Sequence, residues 1–257
     1  MINIKINMRF ALCLFCLLMI KLSYADNRIE VVTVECSAVS GDALGKTSKS
    51  VQSKSVLLSG NVLSTSANAR AVVRVGTDGF VVMGKNSKVE INQSNKDKPG
   101  FFKQISGVVY YAINSIKGKQ KPVEVRTATT TIGIRGTRFL VTDTEDLKEI
   151  GMRKGVVNVT SVDGDFEIVK KSTQDEFEAF KREGEVAIAK NTREFEEYKA
   201  KTQQEFIEYK KEFSLAANRM VSFDGKRVVE LPLSDETKAN MEDFEKFAEE
   251  SLNKITD

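Results

Sequence analysis

From Ile29 to Val169 the chain is built of short apolar runs and two-residue alternations broken by turn-forming residues. Ile29 to Glu35, Arg70 to Val75, Phe80 to Met83 and Lys88 to Ile91 each read as a strand by this period. Val108 to Ile113 is strongly apolar, with Tyr110 and Tyr111 on opposite faces. In the run Val123 to Thr127, Val123, Val125 and Thr127 alternate with Glu124 and Arg126. Val156-Val157-Asn158-Val159 and Phe166 to Val169 flank an Asp163-Gly164-Asp165 turn, and Thr77-Asp78-Gly79 is a hairpin-type turn. Residues 40–54, 92–100 and 114–122 read as loops. Many short strands at turn-marked spacing predict a mainly β domain over residues 26–172. Sandwich, roll and solenoid-like forms all fit this pattern.

The period changes at Thr173. Thr173-Gln174-Asp175-Glu176 has the form of a capping box. From there Phe177, Phe180, Phe195, Tyr198, Phe206, Tyr209 and Phe213 recur at helical spacing. They predict a long inserted helical arm over residues 173–219, about 65 Å long at ~1.5 Å per residue. Its aromatic stripe would form a packing or partner face, first of all against the last helix, and could support self-association. Residues 220–257 return to β pattern from Val221 to Leu231. They then form a C-terminal helix capped by Ser234, with Met241, Phe244, Phe247, Ala248 and Leu252 on one face.

The start of the chain reads differently. Lys5 and Arg9 precede the apolar run Phe10 to Ile20, and Ser23-Tyr24-Ala25 supplies small residues before a cut. Residues 1–25 therefore read as a secretory signal cleaved after Ala25, which places the mature chain in the periplasm or outside the cell. No further stretch predicts a membrane span. Cleavage removes Cys13 and Cys16 and leaves Cys36, which follows the apolar run Val31 to Val34 and is expected to be buried.

Charge adds a second division. Residues 26–172 hold 22 basic and 15 acidic side chains, whereas residues 173–257 hold 14 and 21. The mature sum is neutral, which gives no reason to expect nucleic acid as a partner. The two halves attract each other instead, favouring docking within the chain or between copies.

The sequence contains no histidine, which removes His-based triads and acid–base chemistry. It shows no phosphate loop, dinucleotide fingerprint or Gly-x-Ser-x-Gly elbow. Asp143, Glu145, Asp146 and Glu149 form an acidic cluster whose spacing fits no EF-hand. The expectation is a non-enzymatic protein without a cofactor.

The densest motif is Thr129-Thr130-Thr131-Ile132-Gly133-Ile134-Arg135-Gly136-Thr137-Arg138-Phe139-Leu140-Val141, which reads as strand, turn, strand. Gly133 and Gly136 offer positive φ or close backbone approach. Between them, Arg135 offers a planar fork of donors. Arg135 either ties two β layers together or stands exposed for recognition, and Thr137 and Phe139 complete the turn.

This motif resembles the signature of the FecR-type periplasmic domain family, with Ala128 where that pattern has proline. A second run is similar to it as well: Leu58-Ser59-Gly60-Asn61-Val62-Leu63-Ser64-Thr65, Ala71-Val72-Val73-Arg74-Val75, Asp78-Gly79 and Gly84-Lys85-Asn86-Ser87. The resemblance covers roughly residues 29 to 170. It implies an exported binding or sensing module of the bacterial envelope that recognises a protein or a glycan. In the family's founding arrangement an anti-sigma segment and a membrane helix precede the periplasmic domain. A cleavable signal in their place puts direct sigma-factor signalling in doubt here. The alternative is a structural or assembly protein acting through the aromatic-striped helix.

Overall fold

The computed structural model describes residues 28–42, 48–76, 79–93, 100–114, 123–170 and 207–256. Two β layers and one helix account for most of them. Strands of the first layer, sheet A, run in the order β4 (Val56–Leu57), β1 (Ile29–Glu35), β6 (Arg70–Val75), β7 (Gly79–Met83), then the second half of β9 (Phe101–Ile113). They continue through β12 (Thr137–Asp143), β13 (Lys148–Lys154), β18 (Arg219–Asp224), β19 (Arg227–Pro232), β15 (Phe166–Lys170) and β16 (Ile207–Lys210). Sheet B runs β3 (Ser48–Ser50), β2 (Ala38–Asp42), β5 (Asn61–Thr65), β8 (Lys88–Asn92), then the first half of β9. It ends with β10 (Val123–Arg126), β11 (Thr130–Ile134), β14 (Val156–Ser161) and β17 (Glu212–Ala216).

The chain passes repeatedly from one sheet to the other while advancing along both. Neighbours pair antiparallel except β9 with β10 and β15 with β19. β9 belongs to both sheets and crosses between them at Gly107, whose φ is +96°. A Cβ there would lie 2.4 Å from Ser87, so the crossing needs glycine.

The main core lies between the layers. Val31, Val73, Val81, Tyr111, Phe139 and Ile150 from sheet A meet Leu63, Ile91, Phe102, Val125, Ile132 and Val159 from sheet B. Tyr111 stacks on Phe139 at 5.2 Å. A second core covers the outer side of sheet A, where helix α1 (Asp235–Thr256) lays Met241, Phe244, Phe247 and Ala248 on Val72, Val82, Tyr110 and Leu140. Tyr110 and Tyr111 do face opposite ways, one toward each core. Ser234 caps α1, its Oγ accepting from the backbone N–H of Thr237 at 3.1 Å.

The mainly β expectation and the C-terminal helix hold. The long helical arm does not hold for its last part: β16 and β17 occupy residues 207–210 and 212–216. Tyr209 pairs across from Glu167 and is 63% exposed. Phe213 packs in the main core, 5.4 Å from Phe166 in ring-edge contact, and not on α1. Strand pairing with β14 and β15 outweighs the helical spacing of these aromatics, since propensity yields to tertiary context. Phe177, Phe180, Phe195, Tyr198 and Phe206 lie outside the described residues, as do the predicted signal sequence and its cut after Ala25. Among the described residues, the apolar face of α1 is covered by sheet A. Among the described residues no helix is long and apolar enough to cross a membrane.

Cys36 is exposed rather than buried. It follows β1 with φ +63°, at the bend that sends the chain from sheet A to sheet B. The apolar run before it ends at Val34, so the thiol is already past the core.

Candidate functional site

Two features stand out, the signature corner and the polar clamp on α1. The corner is where β11 of sheet B becomes β12 of sheet A, through Arg135 and Gly136. Gly136 has φ +70°, which a side chain would strain. Next to it, Gly155 turns β13 into β14 with φ +87°, and a Cβ on Gly155 would sit 2.8 Å from the carbonyl oxygen of Gly136. Asn218, with φ +62°, makes the next corner, and its N–H donates to the Met152 carbonyl at 2.9 Å. These three corners between the sheets thus take the left-handed conformation, two of them with glycine.

The other signature residues divide by face. Gly133 sits in mid-strand across from Glu124 and Asn158, and a Cβ there would meet only the Asn158 carbonyl at 3.9 Å. It therefore requires neither positive φ nor close approach, unlike Gly136. Thr137 is buried, and its Oγ1 has no hydrogen-bond partner among the described residues. Phe139 is fully buried. Arg135 is exposed and makes no hydrogen bond or ion pair with the described residues, so it does not tie the layers together. Lys154, beside the next corner, is exposed too. The corner thus presents an exposed guanidinium that has no partner among the described residues.

The clamp was not visible from motifs. Glu245 of α1 is buried at 8% exposure. Its Oε1 accepts from the Tyr110 hydroxyl at 2.5 Å and from Arg138 at 2.9 Å, and its Oε2 faces Arg153 Nε at 3.2 Å. Burial, together with the hydrogen bond to Glu245 and its charge, pushes the Tyr110 hydroxyl far above its ordinary pKa, so it stays a donor. Two residues to either side of Glu245 on α1, Asp243 and Phe247 meet Arg70, which bridges Glu35 and Asp243 at 2.9 Å each and lies 4.2 Å over the Phe247 ring. Burial alone would lower the Arg70 pKa, but these two carboxylates outweigh it and raise it. Basic side chains of the β layers thus hold acidic side chains of α1, the docking within the chain that the split of charge had foreshadowed.

The acidic cluster is dispersed. Asp143 is buried and paired with Lys148, Glu145 and Asp146 are exposed, and Glu149 points elsewhere, toward α1. Among the described residues no group of carboxylates or thiols is placed to hold a metal.

Residues 61–158 match the family model described as FecR protein. The matched stretch runs from β5 to the middle of β14 and includes both the β9 crossing and the signature corner. Two crystal structures of a candidate anti-sigma factor from Parabacteroides distasonis are similar at 11% identity and a TM-score of 0.45. The match covers 69% of this chain and 62% of theirs, so the chain spans less than two thirds of their length. Comparison with curated proteins gives no match.

Proposed function

We propose that the chain is an exported, non-enzymatic sensing module of the bacterial envelope that recognises a partner protein through its signature corner. The FecR-family match supports a regulatory class. The observation that carries the choice of surface is Arg135, an exposed and unpaired arginine fixed by the left-handed corner at Gly136. An exposed guanidinium with no partner of its own reads carboxylates in a bidentate fashion. The assembly alternative has lost Tyr209 and Phe213 from its stripe to β strands.

The test uses the native host. The protein in a periplasmic extract should begin at Asp26, and a photo-crosslinking residue at position 154, beside the intact Arg135, should give one discrete protein adduct. Arg135→Glu in that same variant should abolish the adduct and leave the thermal melt unchanged. Recovery of the chain only from the cytoplasm, or an adduct indifferent to Arg135→Glu, would overturn the proposal.

A further inference from the structure

Among the described residues, helix α1 leaves part of the outer side of sheet A uncovered. A groove of about 520 Å³ runs between the β12–β13 turn and the first turns of α1. Leu140, Met220, Leu231 and Leu233 form its floor. Leu147, from the turn Thr144–Leu147, stands 43% exposed in its wall. Glu149, Asp235 and Glu236 line its rim, and among the described residues no lysine or arginine does.

The nearby cations are engaged elsewhere. Lys148 is paired with Asp143, and Lys238 holds Asp235 at 2.9 Å. Glu149 and Glu236 make no hydrogen bond or ion pair with the described residues. Burial of Glu149, and then the charge of Glu236 facing it, raise the Glu149 pKa above the usual carboxylate range. The groove therefore combines an apolar floor with a polar wall and two carboxylates that have no partner among the described residues, in the size range of ligand sites.

We propose that this groove docks an extended basic segment of a partner protein. The aliphatic stem of its arginine or lysine lies on the leucine floor, and the cationic head sits between Glu149 and Glu236. The chemistry selects this occupant. A bare cation would satisfy the carboxylates but leave the floor wet, and a purely apolar segment would bury the carboxylates unpaired. A side chain that is apolar along its length and charged at its tip satisfies both. The groove shares no residue with the signature corner, so its failure and that of the Arg135 reading can be told apart.

The probe is a fluorescently labelled ten-residue peptide alternating leucine and arginine, titrated against the mature chain and read by anisotropy. The peptide should bind, and more weakly as salt rises. Glu149→Gln with Glu236→Gln should weaken it about tenfold or more, because both partners of the cationic heads are removed. Melts should show that double variant folded, since it relieves a like-charge contact. Glu90→Gln, on the outer face of sheet B, should leave the affinity unchanged. Four results would each overturn the proposal: no binding, equal binding by the double variant, equal binding of a leucine–glutamine peptide, or displacement by spermidine at matching concentration. The last would make the site a simple polyamine site.

Discussion

The two sheets have the same inner face and opposite outer faces. Sheet A carries α1 on its outer side, and its central strands are apolar at consecutive positions: Ala71-Val72-Val73, Val81-Val82-Met83, Tyr110-Tyr111-Ala112, Phe139-Leu140-Val141. Sheet B has nothing on its outer side among the described residues. Its strands alternate: Val89-Glu90-Ile91-Asn92, Val123-Glu124-Val125-Arg126, Val157-Asn158-Val159-Thr160. A strand buried on both faces must be apolar at both parities, and one buried on a single face need not be. The outer face of sheet B still has local order, with Arg126 lying 4.0 Å over the Phe101 ring and paired to Glu124 at 2.7 Å. The difference shows that α1 is a third layer of the fold and not an appendage.

The strongest way to break this comparison is to remove the third layer. Truncation before Ser234 should expose the apolar outer face of sheet A. Each buried side chain lost from contact would cost about 1.5–3 kcal/mol. The truncated protein should bind a hydrophobic dye and self-associate. A monomeric, dye-silent product with an unchanged melt would mean that α1 is dispensable.

A milder change tests how α1 is held. Glu245→Ala leaves the Tyr110 hydroxyl, Arg138 and Arg153 without their shared acceptor. The arginines keep partial access to water, so the expected loss is about 1–3 kcal/mol rather than the full cost of a dry ion pair. Urea melts should show a lower midpoint with the slope unchanged.

Glu149→Gln should act in the other direction. The folded-state pKa of Glu149 is raised, so the native state binds its proton more tightly than the unfolded chain does. That carboxylate therefore weakens the fold once pH rises above the ordinary carboxylate range, and the penalty vanishes as pH falls below it. The glutamine variant should be more stable than the parent at pH 7, by about 0.2–1 kcal/mol because the site is only partly buried. The gap should close near pH 4. A gap that grew at low pH would contradict the assignment.

The smallest effect belongs to sheet B. Lys103 is exposed on its outer face across from Glu90, and Lys103→Ala should shift stability by no more than about 0.5 kcal/mol. A loss of several kcal/mol would show that this face is covered after all.

Much of this architecture was legible along the chain. The period of two placed β1, β6, β7, β8, the second half of β9, β10, β14 and β15, the opposed tyrosines were read correctly, and Ser234 capped the last helix. Residues 40–54 read as a loop, yet β3 and the end of β2 lie there, because short polar strands such as Ser48–Ser50 carry no apolar alternation. The signature pointed to Gly136, whose turn does need glycine, but it also pointed to Gly133, whose place in mid-strand does not. Tyr209 and Phe213 misled because their spacing fits a helix, while strand pairing is decided by residues far away in sequence. Glu245 was invisible for a related reason. Its partners Tyr110, Arg138 and Arg153 come from three separate strands, and only the opposite charge of the chain's two halves hinted that acids near the C-terminus would meet bases before it.

The crossing of β9 at Gly107 has a consequence for how the molecule opens. Most strands pair only with neighbours in one sheet, so thermal opening can begin at either end of the double layer and stop there. β9 pairs with β7 and β12 in one sheet and with β8 and β10 in the other. Freeing the whole of it requires both sheets to part. The thirteen residues of β9 therefore set the boundary between local fraying and global unfolding, and their exchange with solvent should be the slowest in the chain.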